Sequence, residues 1–256
     1  MSIPARDYDV GELESALAGS LFSHKLHYIP ETGSTNTVAM HAGAAGVEEG
    51  HVFFTDQQTA GRGRGGHSWQ SESGTSILAS ILLRPRIQAA QALWLSLMAG
   101  VAVHDSILNN CGIDCDLRWP NDLLLDGRKV AGILVQVVNG DAIAGIGINV
   151  NHAAFPPDLE ATSLRLHAKR SYAREDILDA LIAAVDAMVG ADAETILRRF
   201  SEGSSYAAGR RVTVDQPGGA VAGMTAGLNR DGYLIVRRDD GTDTVILAGG
   251  VRAAGS

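Results

Sequence analysis

A few cations set among glycines and amides make up the part of this sequence that could do chemistry. Residues 59–74 include the run TAGRGRGGHSW, in which Arg62 and Arg64 alternate with Gly61, Gly63, Gly65 and Gly66 before Trp69. Glycines at that density hold neither a helix nor a strand. They expose backbone N–H groups and let the chain come close to a ligand. Guanidinium forks suit a phosphate or a carboxylate, and a loop this long without structure of its own is usually functional. Two readings fit: a flap that closes on an anion and takes its order from that anion, or a surface loop with scattered arginines. The run is not a Rossmann or Walker loop, because it precedes a strand and lacks Gly-Lys-Ser/Thr.

A second constellation is RWPNDLLLDGRKVAGILVQ, residues 118–136. A strand ends in Trp119-Pro120, Asn121-Asp122 follow, and a turn at Asp126-Gly127 leads to Lys129 at the mouth of an apolar strand. A lysine held there is more rigid than most surface lysines, although by itself it reads as a solvated strand end. A third element, GIGINVN, puts Asn149 and Asn151 at the end of a partner strand. Buried amides there are costly unless paired; alone, Asn149 reads as a turn residue.

The elements that must position these groups follow from pattern. A short helix is expected over 9–19, stopped by Gly19. A strand over 26–29, a turn over 30–33 and a helix capped by Ser34 or Thr35 and running to about 45 come next. Strands over 51–57 and 75–83 flank the glycine loop. Trp94, Leu97, Met98, Val101 and Leu108 recur at helical spacing and describe the buried face of a long helix over 88–109. After a strand over 115–119, strands over 129–138 and 142–150 flank Asn139-Gly140-Asp141, a hairpin signal. Both are apolar on each face, so they belong in the middle of a covered sheet. Helices follow over 171–189 and on to about 200. After Tyr206, short strands separated by Gly-containing turns predict a small barrel of about 50 residues.

Bulk composition sets limits. Apolar residues are 45 % and charged residues 20 %, which excludes a disordered chain. The net charge of −8 argues against binding nucleic acid or anionic membrane through bulk charge, so any bound anion must meet a few placed cations. Cys111 and Cys115 read as two small buried thiols in a reducing compartment, not as a disulfide scaffold or a metal site. The first residues carry no signal-peptide core, and no stretch approaches the ~20 apolar residues of a membrane span. A cytoplasmic protein is expected.

GSTNTVA, QTAGRGRGGHSW, RWPNDLLLDGRKVAGILVQ and GIGINVN, in this order, resemble the biotin protein ligases, and the later FPPDLEATSL does as well. The detailed match covers about residues 26–165. The resemblance implies an α+β fold: a mixed β-sheet with helices on one side, related to lipoate ligases and class II synthetases, followed by an SH3-like barrel. It implies a catalytic domain over 1–205 and a barrel domain over 206–256. It also implies two half-reactions, in which biotin and Mg-ATP give biotinyl-5′-AMP and a lysine of a biotin carboxyl carrier domain then takes the acyl group.

Roles follow from that resemblance. Lys129 bridges the biotin carboxylate and the α-phosphate. Arg62, Gly63 and Arg64 belong to the loop that closes over biotin and adenylate, with Arg64 catalytic as well, and Trp69 faces the nucleotide. Ser34, Thr35 and Asn36 hold the ureido ring, with Gln58 as a further contact. Asn149 lies near the phosphates or the metal of the nucleotide. Asp122 is a polar anchor near the reacting carboxyl, or the base for the incoming lysine. No protein-held metal site is implied.

Two positions depart from the family pattern: Arg118 where lysine is common, and His67 where arginine is frequent. The ligase motifs begin by Thr32, which leaves no room for the DNA-binding winged helix of some relatives. The expectation is a ligase without repressor function, free of DNA and membrane, with a homodimer through a sheet edge possible in the fold. The rivals are a lipoate or octanoate ligase on the same fold and a non-catalytic adenylate-binding regulator.

Overall fold

The computed structural model describes residues 8–85, 92–216 and 218–253. Helix α1 (Val10–Ala16) starts at Asp9, whose carboxylate accepts from the Glu12 N–H and satisfies one orphan donor of the first turn. It ends before Gly19, which adopts φ +83°.

Strand β1 (Leu26–Thr32) runs through Pro30, so the turn expected over 30–33 is corrected. β1 lies at the edge of its sheet, where a missing N–H leaves no ladder bond unmade. Helix α2 (Thr35–Ala44) then crosses back to β2 (Val52–Gln58), which pairs with β1 in parallel. The remaining strands are antiparallel: β3 (Ser76–Leu83), β4 (Asp116–Arg118), β5 (Asp122–Leu125), β6 (Arg128–Val138) and β7 (Asp141–Asn149). Their order, β1-β2-β3-β7-β6-β5-β4, puts β7 at the centre.

Two hairpins end in mirror-image turns. Asn139 and Gly140 take φ +53° and +90°, and Asp126 and Gly127 take +50° and +76°, as a two-residue turn between twisted strands requires. The sequence shows both turns. It does not show β5, whose four residues are too few to display a period.

The long helices share one face of the sheet. α3 (Ala92–Cys111) packs on β6 and β7, and α5 (Arg174–Val189) and α6 (Ala193–Glu202) pack on α3. The short α4 (Leu164–Ala168) precedes them. α2 alone lies on the other face, burying Ala39 against Phe53, Leu82 and Ile143. Of the helix expected over 88–109, residues 88–91 lie outside the described residues. Leu108 is exposed, not buried. It stays on the side of Val101, but that side opens into a hollow with His104, Asp114 and Arg199.

From Ala208 the chain forms a second antiparallel sheet: β8 (Ala208–Gln216), β9 (Gly219–Leu228), β10 (Leu234–Arg237), β11 (Asp243–Ile246) and β12 (Val251–Ala253), ordered β11-β10-β9-β8-β12. Register shifts in β8/β9 and β9/β10 bend it around Val212, Val214, Leu234, Val236 and Ile246. Buried Trp119 joins the two sheets: its indole N–H donates to the Gly232 carbonyl at 2.9 Å.

Candidate active site

The cleft lies on the α2 face, where three neighbouring strand positions are glycine. Gly132 on β6 stands opposite Gly147 on β7, and Leu134 stands opposite Gly145. A glycine inside a strand often marks close approach of another group. Here a Cβ on Gly145 would collide with the Asn36 amide, and one on Gly147 would come within 2.6 Å of the Trp69 ring. These glycines form the floor, the α2 N-terminus one wall, and the loop after β2 the roof; the side chains of Trp69 and Lys129 lie on the floor and leave only about 40 Å³ open between them.

The roof has a shape of its own, which corrects the expectation that its order must come from a ligand. The Gly63 N–H donates to His67 O, and the Trp69 N–H to Gly61 O. A single turn of 3-10 helix over Arg64–Gly66 closes this small hairpin, with Gly65 at φ +64° and Gly66 at φ +82°. Arg64 is tied down: its Nη1 donates to Asn121 Oδ1 at 3.0 Å, while Asn121 Nδ2 donates to Ile133 O. Desolvation lowers the Arg64 pKa, and the Asp122 charge opposes this.

Lys129 is fixed by its backbone. Its N–H donates to Glu160 O, and its carbonyl accepts from the Thr162 N–H. The side chain lies over Gly132, with Nζ 2.6 Å from Asp122 Oδ1 and 5.6 Å from the Trp69 ring centroid. The other oxygen of Asp122 accepts from Arg118 at 2.7 Å. The Trp69 indole N–H is buried and has no hydrogen-bond partner among the described residues.

At the α2 wall, Gln58 Oε1 accepts from the Thr35 N–H at 2.8 Å and from the Thr35 hydroxyl at 3.2 Å. It therefore occupies the place of a helix cap, and Ser34 makes no cap bond. Ser80 Oγ lies 2.7 Å from Thr35 Oγ1 and 2.6 Å from Asn36 Oδ1. Asn36 Nδ2 donates to Gln136 Oε1 at 2.9 Å.

Ser34, Thr35, Asn36, Gln58, Arg62, Gly63, Arg64, Trp69 and Lys129 all line this one cleft. The chemistry it offers is the pairing of two anions under three cations, on a floor flat enough for a ring system. The buried Arg174 elsewhere bonds Asp56, Ser76 O and Tyr8, a structural pairing with no reactive partner beside it.

The fold and the motifs have relatives. The family model of the biotin/lipoate A/B protein ligase family matches residues 28–152, and that of the biotin protein ligase C-terminal domain matches residues 208–251. The chain is 34 % identical to the biotin--[acetyl-CoA-carboxylase] ligase of Mycobacterium tuberculosis over 88 % of its length and 87 % of that protein's. The chain belongs to the biotin protein ligase family. The bifunctional ligase/repressor BirA of Bacillus subtilis is 29 % identical over 93 % of the chain and 77 % of the relative. Among solved structures, the biotin protein ligase of Aquifex aeolicus in complex with biotin and ATP superposes with a TM-score of 0.80, at 26 % identity, covering 90 % of this chain and all of that one.

Within this biotin protein ligase fold, Asp122 and Asn149 stand outside the cleft lining. Asp122 reaches it through Lys129. Asn149 is buried and donates to Thr162 O, next to the backbone bond that fixes Lys129. Asn151 exchanges bonds with Tyr172, so both strand-end amides are paired, as burial demands. Sequence reasoning missed Asn121, Ser80 and Gln136 as functional candidates. It also missed the floor glycines, although glycine inside two apolar strands was a readable signal.

Proposed function

We propose that this ligase activates biotin with ATP and transfers it to a specific lysine of a biotin carboxyl carrier domain, without acting as a repressor. The observation that carries the reading is the cleft itself, in which Lys129, Arg62 and Arg64 converge over a glycine floor beside the hydroxyl and amide groups at the α2 N-terminus. The ureido ring fits against Thr35 and Gln58. Asn36 beside them lines the same cleft, its amide set by Ser80, Gln136 and Leu134 O.

In the first step a biotin carboxylate oxygen attacks the α-phosphorus of ATP. The new C(O)–O–P bond forms as the bond to the bridging oxygen breaks, and pyrophosphate leaves. Magnesium belongs to the nucleotide substrate. Two anions repel, and Lys129 leaves Asp122 to lie between them. Stabilising the charge that develops is the main way such a site speeds the reaction. Closing the Arg62–Arg64 hairpin keeps water from the mixed anhydride. In the second step the carrier lysine attacks the acyl carbon and AMP departs. Asp122, 2.6 Å from Lys129, serves either as a polar anchor near the reacting carboxyl or as the base that takes the proton the amine must lose.

A ligase without repressor function is favoured by the net charge of −8, which works against holding DNA through bulk charge. α3 is long and apolar enough to cross a bilayer by composition, and it is the buried core helix of the sheet. Free, buried Cys111 and Cys115 suit a reducing, cytoplasmic setting. The deciding experiment is biotin-dependent ATP–pyrophosphate exchange with lipoate and octanoate as competitors. Exchange driven by lipoate or octanoate in place of biotin would overturn the reading.

A further inference from the structure

We propose that Arg118 is a positioning residue for ligation: it occupies one oxygen of Asp122 so that Lys129 is released to the substrate anions. This rests on the reading of function above and deepens it. Arg118 does not line the cleft. It stands directly opposite Asp122 across the β4/β5 pair, and Asp122 stands opposite Gly132 across β5/β6. The missing Cβ of Gly132 makes room for Lys129, whose Cε and Nζ would lie 2.8 and 2.9 Å from such an atom. One carboxylate therefore meets two cations, Arg118 at Oδ2 and Lys129 at Oδ1.

The consequence is electrostatic. Asp122 and Lys129 alone form a neutral pair in which each is the other's best partner. A lysine so held must give up its acid to serve the biotin carboxylate and the α-phosphate, and the acid is left stranded. With Arg118 the group carries one net positive charge. Half of the carboxylate is already committed, and Asp122 keeps a partner when Lys129 departs. Arginine suits this part because its planar fork stays in place on a carboxylate, where a lysine would be a mobile point charge. The Lys129 backbone is bonded on both sides to residues 160 and 162, so only its side chain needs to move.

The test uses Arg118→Met, Asp122→Asn and the double variant of the full chain, with two readouts. One is biotin-dependent ATP–pyrophosphate exchange. The other needs no substrate: the rate at which a small amine-reactive ester labels Lys129, followed by peptide mapping. Arg118→Met is expected to slow both by roughly tenfold to a hundredfold, the span of one charge-assisted hydrogen bond. Arg118→Lys is expected to restore most of each. Removing the Asp122 charge removes what Arg118 offsets, so the double variant should match Asp122→Asn within about threefold on both readouts. Losses that multiply in the double variant, or Lys129 labelling that is unchanged in Arg118→Met, overturn the proposal. Arg118→Gln replaces the methionine variant if the latter does not fold, and the same pattern is required of it. A wild-type chain without biotin-dependent exchange counts against the functional reading, while the labelling pattern still decides the part played by Arg118.

Discussion

The ring of Trp69 rests on Gly147, with no room between them for even a methyl group: a Cβ there would come within 2.6 Å of Cε2 and Cζ2. Gly147→Ala should therefore push the indole off the floor. Overpacking of this kind costs about 1–3 kcal/mol. We expect biotin affinity to fall roughly tenfold to a hundredfold, with a shift in the tryptophan emission of the ligand-free protein. Calorimetric titration showing unchanged affinity would remove the floor from the account of binding.

Lys129→Ala should stop adenylate formation while the fold survives, because the backbone bonds to Glu160 and Thr162 do not need the side chain. The expected loss in exchange rate is at least about a hundredfold to a thousandfold. Near-normal exchange in a variant with native circular dichroism would exclude Lys129 from the mechanism.

Arg64 is held to Asn121 and carries the flap's charge over the cleft. Arg64→Gly should weaken retention of the intermediate more than its formation. Loss of one charge-assisted hydrogen bond predicts release of biotinyl-AMP faster by roughly tenfold to a hundredfold. The released anhydride acylates bystander lysines, so labelling of an unrelated protein is the measurement. A variant that consumes ATP and still labels only its carrier contradicts the retaining role.

His27 Nε2 and His51 Nδ1 are 2.7 Å apart on neighbouring strands, with rings stacked at 5.0 Å. Desolvation is the first cause lowering both pKa values; His51 is also lowered by the charge of His27 and by Lys25. A histidine whose folded-state pKa is depressed binds fewer protons than in the unfolded chain, so stability rises with pH. Stability is expected to be complete above the unfolded value and to fall as pH drops below about 6.5. His51→Gln should flatten that fall. Equal melting-temperature losses in wild type and variant between about pH 7.5 and 5.5 would sink the assignment.

No sequence-specific DNA binding is expected of this chain. A gel shift with biotin and ATP present checks this, and a sequence-dependent, salt-resistant complex would show it wrong.

The cleft was legible in sequence because its cations sit in short runs whose glycines and prolines announce loops. Ser34, Thr35, Gln58, Arg64, Trp69 and Lys129 meet where those runs meet. The supporting groups were not legible. Ser80 lies in an apolar strand, SILASILL, where one hydroxyl carries no local signal, and its value comes from Asn36 on another element. Arg118 and Asp122 read as neighbours in a run, and only the β4/β5 pairing makes them partners. Pro30 misled for the opposite reason: a turn-former in sequence is harmless on an open edge, and edge position is a property of the sheet.

The bond from Trp119 to Gly232 spans 113 residues and braces the turn that carries Asn121 and Asp122. On the ribosome, every cleft residue has been made well before Gly232 emerges. Until then the Trp119 indole lacks its acceptor, and the turn beside Lys129 is held by bonds to Ser96 and Ile133. The C-terminal sheet thus ties the last-made part of the chain to the turn beside the cleft, and removing it would leave a buried indole N–H without its acceptor.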